Sequence, residues 1–75
     1  MMFFIHYNDN NLFIKFDSII NIFNIIVQNK TSVILETDME INSDFCIIPF
    51  KSPRGTYKIK IAIGNNSLSR SVFVG

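Results

Sequence analysis

The chain has no tryptophan, one cysteine, two prolines and three glycines in 75 residues, and these shortages narrow what it can be. A single cysteine, Cys46, cannot close an internal disulfide, so the staple on which small secreted domains depend is missing. No apolar run approaches the roughly 18 residues of a membrane-spanning helix. The opening Met-Met-Phe-Phe-Ile-His-Tyr is too short and too uncharged for a signal peptide. The chain is therefore expected to be a mature form or a protein that is not secreted. No catalytic or cofactor motif occurs, no nucleophile, base and orienting partner come together, and neither repeat nor linker divides the chain. The sequence by itself points to no reaction, and the expected class is not an enzyme.

What is present is a core. Hydrophobic residues make up 48% of the chain, eight of them Phe, which excludes disorder and supplies one domain spanning residues 1–75. A chain this short buries only about 60–65% of its unfolded surface, so it is marginal alone and assembly is favoured over independence. The net charge of +1 conceals a segregation. Up to Asp44 the charged residues sum to −4, and from Lys51 onward they sum to +5. Such a division reads either as ordinary solvated surface or as a bipolar module.

The clearest element is Gly55 to Gly64, where Tyr57, Ile59, Ile61 and Ile63 alternate with Thr56, Lys58, Lys60 and Ala62. That is a half-buried strand with lysines on its wet face. Before it, Phe3 to Tyr7 and Leu12 to Phe16 read as strands around the turn residues Asn8-Asp9-Asn10-Asn11. Phe3, Phe4 and Phe13 cannot all face one core from alternating positions, so at least one aromatic is expected on an outer face, as a candidate contact. Ser18 to Gln28 is ambiguous. Phe16, Ile19, Ile20, Phe23, Ile26 and Val27 also form a helical stripe, but the segment lacks Ala, Leu, Glu, Lys and Arg and is rich in Ile, Val and Phe, so strand is expected. Val33 to Glu40 follows after the turn Asn29-Lys30-Thr31. Asn42-Ser43-Asp44 separates it from Phe45 to Ile48, which Pro49 closes. Gly64-Asn65-Asn66 turns the chain into a last strand, Ser67 to Val74, whose imperfect alternation predicts a bulge near Arg70 or a two-sided environment.

The fold class expected is all-β, a seven-stranded Greek-key sandwich. Ser52-Pro53-Arg54-Gly55-Thr56-Tyr57 and the alternating strand after it resemble the Pro-x-Gly-x-Tyr entry to the penultimate strand of immunoglobulin-like domains. The likeness is strongest to small bacterial immunoglobulin-like modules and the C-terminal sorting domains of type IX secretion, and covers Ile47 to Val74. It implies an immunoglobulin-like sandwich in which the tyrosine bonds back to an upstream backbone group. Ser52 departs from the Leu those modules usually carry, so attachment to a secretion cargo does not follow.

Several residues invite a chemical reading, and each has a plainer one. Asp38, Glu40, Asn42 and Asp44 recur at the spacing of calcium ligands, yet Ser43 stands where such a loop needs glycine and Pro49 where it needs glutamate, so they read as a solvated strand end. Cys46 reads as a small buried thiol and His6 as a lone surface or partly packed imidazole; no metal, catalytic or cofactor site is expected. Lys58 and Lys60, with Lys51 and Arg54 before them, form a basic strip whose neighbours Thr56 and Ala62 offer no stacking, which argues against nucleic acid. Asn29-Lys30-Thr31 and Asn65-Asn66-Ser67 match glycosylation sequons but read as turn chemistry. The expected function is a non-catalytic structural or interaction module that docks into a larger assembly, such as a viral capsid auxiliary or decoration subunit, with other protein subunits or copies of itself as partners, no membrane partner, and a virion as its place. The alternative is an immunoglobulin-like module at a cell surface, or secreted, that binds glycan or protein through its loops.

Overall fold

Two long strands form the frame. The computed structural model describes residues 1–75 as five antiparallel strands: β1 (Phe3–Asn8), β2 (Asn11–Gln28), β3 (Val33–Pro49), β4 (Gly55–Ile63) and β5 (Asn66–Val74). β2 and β3 pair along nearly their whole lengths. The other edge of β2 is shared, by β1 at Asn11–Phe16 and by β4 at Asn24–Gln28, and β5 adds to β4. The sheet curls until β5 comes against β1, and the two ends of the β2–β3 hairpin close over a common core. Its shortest extent, 17 Å, accommodates two sheet layers packed about 10 Å apart with their outward side chains.

All-β architecture is thus present, but the seven segments read from the sequence are five strands. Asp17-Ser18 and Asn42-Ser43-Asp44 are bends inside β2 and β3 rather than turns between strands. Lys15 pairs with Phe45 and Ile20 with Ser43, so β2 spends Phe16 to Ile19 where β3 spends only Asp44. Asn42, at φ 49°, takes the left-handed conformation that Asn tolerates best after glycine. The extra residues form a bulge that bends the hairpin, and a second register shift, between Ile20 opposite Ser43 and Ile22 opposite Glu40, follows at once; across the two shifts both strands turn their faces over. In β2 the buried residues are Leu12, Ile14, Phe16 and Ile20 up to the second shift and Phe23, Ile25 and Val27 after it. β3 does the same in reverse, with Leu35, Met39 and Ile41 inward and then Cys46 and Ile48. Each strand therefore serves both layers.

Ser18 to Gln28 is strand, as its composition suggested. Its apparent helical stripe has a structural origin, because Phe16, Ile20, Phe23 and Val27 are the core residues on either side of the bulge. A one-step change of parity between two alternating runs produces spacings of four, three and four. Ile19, which a helix would have buried, is 73% exposed.

The remaining elements follow their local chemistry. Asp9 and Asn10 both take positive φ, 50° and 63°, giving the tight β1–β2 hairpin. Gly64, at φ 58°, occupies the first central position between Ile63 and Asn66, where glycine carries no steric cost. In β4, Tyr57, Ile59 and Ile61 are buried while Lys58 and Lys60 stand in solvent. No bulge occurs near Arg70, because the β4–β5 register is unbroken from Gly55 opposite Val74 to Ile63 opposite Asn66. Arg70 keeps the inward parity of Leu68, Val72 and Val74. It sits where β5 meets β1, and its guanidinium lies 5.3 Å from the centre of the Phe3 ring, so a cation–π contact covers an open seam.

Tyr57 anchors the crossing from β3 to β4. Its hydroxyl donates to the Pro53 carbonyl at 2.6 Å, and its ring meets Phe50 edge-on at 5.4 Å. Tyr57→Phe removes the donor and leaves that part-buried carbonyl unmatched. It should cost about 1–2 kcal/mol in a urea titration with no change of slope, and an effect below about 0.3 kcal/mol would show the bond to be idle.

Candidate functional site

The most distinctive surface lies outside the core, on the outer face of the layer made by β1, the first part of β2 and the last part of β3. The Asp9-Asn10 turn and the β2–β3 register set its three rows. Phe4, Lys15 and Phe45 lie side by side, then His6, Phe13 and Ile47, then Asn8, Asn11 and Pro49. Aromatic residues, Ile47 and Pro49 therefore dominate a face that an ordinary two-layer protein leaves polar. Phe4 is 64% exposed, Ile47 49% and Phe45 42%. Phe13 is half covered, because His6 stacks on it at 4.9 Å with the rings only 10° from parallel and Phe45 leans on it at 6.4 Å. The outer aromatic expected among Phe3, Phe4 and Phe13 is realised twice, since Phe4 and Phe13 face out and Phe3 is core.

Charge is nearly absent from this face. Lys15 is the one lysine in it, and its ammonium pairs with the carboxylate of Asp44 at the rim. The Lys15 hydrogen bond holds the Asp44 carboxyl below its ordinary range, so the pair persists as pH falls below the point where a free aspartate would protonate. Both side chains are well exposed, and a pair of this kind adds little to stability. Its consequence is to neutralise the only charge beside the aromatic cluster.

The other layer is different in character. Along its outer face, Glu36 and Asp38 of β3 flank Ile26 and Asn24 of β2, while Lys60 and Lys58 of β4 lie beyond, with Ser69 and Ser71 of β5 next to them. The opposite charges divided along the sequence thus lie as two parallel columns on one surface, with β2 between them, and do not occupy opposite poles. Arg54 is drawn to Phe73, 5.6 Å from its ring centre. The aromatic face and the lysine column look away from each other across the core, and on the lysine side the exposed aromatic is Phe73, opposite Thr56, with Arg54 over its ring.

The other candidate residues stay apart. Asp38 accepts from Asn24 at 3.1 Å, Glu40 faces outward, Asn42 occupies the bend and Asp44 turns to Lys15, so the acidic series does not converge. No three His, Cys, Asp or Glu side chains gather as a metal-binding group. Cys46 points into the core, where desolvation pushes its thiol pKa up and keeps it a poor nucleophile. Asn29 uses its side-chain oxygen to accept from the backbone N–H of Thr31 and Ser32, at 2.9 and 2.8 Å, which makes the first sequon a turn clamp. Phe45 and Ile47 were missed as surface residues because a short apolar strand does not reveal which parity faces the core. Pro49 held the available clue, since a proline in a strand marks an edge. No helix is long and apolar enough to cross a membrane. No protein-family model matches the chain, and no curated protein matches it in sequence.

Proposed function

We propose that this chain is a non-catalytic structural subunit that docks into a larger protein assembly, of the kind a capsid auxiliary or decoration protein provides in a virion, through the outer face of β1, β2 and β3. One observation carries the reading: Phe4, His6, Phe13, Phe45 and Ile47 form a continuous aromatic and aliphatic surface whose single lysine is neutralised at the rim. Such a surface costs free energy in water and is recovered by a protein partner, since interface cores are enriched in aromatics and depleted of charge. The small size and the missing disulfide point the same way, because a marginal domain gains stability by mass action when it binds.

The finer fold we propose is immunoglobulin-like. Its support is the bond from Tyr57 to the Pro53 carbonyl at the entry to β4, together with the crossing that places β4 on the far edge of β2 from β3. That fold also keeps the surface-binding module as a second reading.

The test is sedimentation of the purified chain with and without the other proteins of the particle that contains it. Phe4→Ser should weaken association about tenfold or more while moving folding stability by under about 0.5 kcal/mol, because Phe4 is mostly exposed. A chain that binds none of those proteins, or binds them equally well after Phe4→Ser, would replace the assembly reading with the surface-binding one.

A further inference from the structure

β3 pairs with β2 alone, so its other edge is unpartnered along its entire length. The two halves of that edge are not equivalent. Glu36, Asp38 and Glu40 alternate along the first half, and a second acidic strand of the same sequence would be repelled there. From Phe45 to Ile48 the edge has no charge at all.

The backbone groups that this second half presents can be assigned. Phe50 donates to the Asn10 carbonyl at 2.9 Å, and the two stand directly opposite in the register that pairs Pro49 with Asn11. Hydrogen-bonded and non-bonded pairs alternate along an antiparallel ladder. Ile48 and Cys46 therefore direct their N–H and C=O toward β2, while Phe45, Ile47 and Pro49 direct theirs to the free edge. Two facts agree with this assignment. Phe45 N–H has no partner on β2 and rests on the Ser43 hydroxyl at a long 3.3 Å. Pro49, with no N–H to give, stands where none is needed by the ladder.

We infer that this edge is a twofold interface at which a second copy of the chain pairs antiparallel through Phe45 to Ile47. With Cys46 on the twofold axis, Phe45 of one copy stands opposite Ile47 of the other, and each pair exchanges two N–H···O=C bonds. Both outward donors and both outward carbonyls of Phe45 and Ile47 are then matched by the identical groups of the second copy. Any extended strand could match these backbone groups, and what selects a copy of this chain is the side-chain and charge match that the twofold produces. On the outer surface, Phe45 beside Ile47 makes an aromatic–β-branched pair, a favourable cross-strand combination. The antiparallel direction also carries Lys51 of one copy, which follows the end of β3, toward the Glu40 end of the other edge, so opposite charges meet where the pairing runs out. Two three-stranded layers become one six-stranded layer, and the two aromatic faces join into a single surface.

Phe45 and Ile47 serve the edge through their backbone and the docking face through their side chains, so the two roles are separated by one substitution in each. Ile47→Pro removes one outward N–H per copy, two of the four bonds, at a position where the monomer's own ladder uses none. It should weaken dimerisation on the order of tenfold to a hundredfold in sedimentation equilibrium. Phe4→Ser, on the far strand of the same layer, should leave dimerisation unchanged even where it abolishes binding to other subunits. The unmodified chain gives a second readout that no folding defect can disturb. The amides of Phe45 and Ile47 should exchange with deuterium more slowly as concentration rises, while exposed amides on β5 do not. A chain that stays monomeric to millimolar concentration, a dimer indifferent to Ile47→Pro, or exchange at Phe45 and Ile47 that ignores concentration would each overturn the interface.

Discussion

Replacing Ile61 by Ala should cost about 2–5 kcal/mol, a large part of what holds a domain of this size together. Ile61 is fully buried in the middle of β4, opposite Ile25 on one side and Leu68 on the other, so neither the backbone nor its neighbours can collapse into the void without breaking a ladder. The next residue toward the N-terminus is the internal control. Lys60 points out beside Ile26 and Ser69, and Lys60→Ala should change stability by less than about 0.5 kcal/mol. A urea series with fluorescence or circular dichroism decides the matter, and equal losses from the two substitutions would mean that the faces of β4 are exchanged.

Phe23→Ala should be at least as damaging, at about 3–5 kcal/mol, because Phe23 is buried just past the bend and its ring meets Phe16 at 5.1 Å. That contact joins the two halves of β2 across the bulge, so the loss falls on both layers. Ile19→Ala provides the contrast. A helix through this segment would place Ile19 on the buried stripe with Phe16, Ile20 and Phe23, and the substitution would then cost as much as any core truncation. In the bulged strand Ile19 is solvent-exposed and the cost should stay within about 0.5 kcal/mol. The pair of measurements separates the two geometries without a new structure, and a large loss at Ile19 would sink the bulge.

The consequences for function follow from how the bend distributes residues. A flat β2 would keep one face inward for its whole length. The two register shifts let Leu12, Ile14 and Phe16 serve one layer and Phe23, Ile25 and Val27 the other, while Phe13 is left outside as the centre of the aromatic face. The same bend divides the β3 edge into an acidic half and an uncharged half, at Asn42 and Asp44. The exposed aromatic face and the free edge are therefore neighbouring products of one local irregularity.

Much of this was determined by the sequence alone. Period-two alternation identified β1, β4 and most of β2 and β3, because a strand's pleat ties side-chain direction to parity whatever surrounds it. Asn8 to Asn11 and Gly64 to Asn66 announced their hairpins, since few other residues accept positive φ cheaply. The surplus of phenylalanine near the N-terminus required an outer aromatic by counting faces. Tertiary structure decided the rest. Asp17-Ser18 and Asn42-Ser43-Asp44 carry turn chemistry, yet they became bends within continuous strands, because each lies against the other across a hairpin too well paired to break. Whether a polar interruption ends a strand or bends it depends on the partner strand, which local propensity does not contain. The direction faced by Phe45 and Ile47 depended on the parity change at that bend. The place of Arg70 depended on β1 arriving beside β5, a contact between the first and last strands that no local pattern encodes.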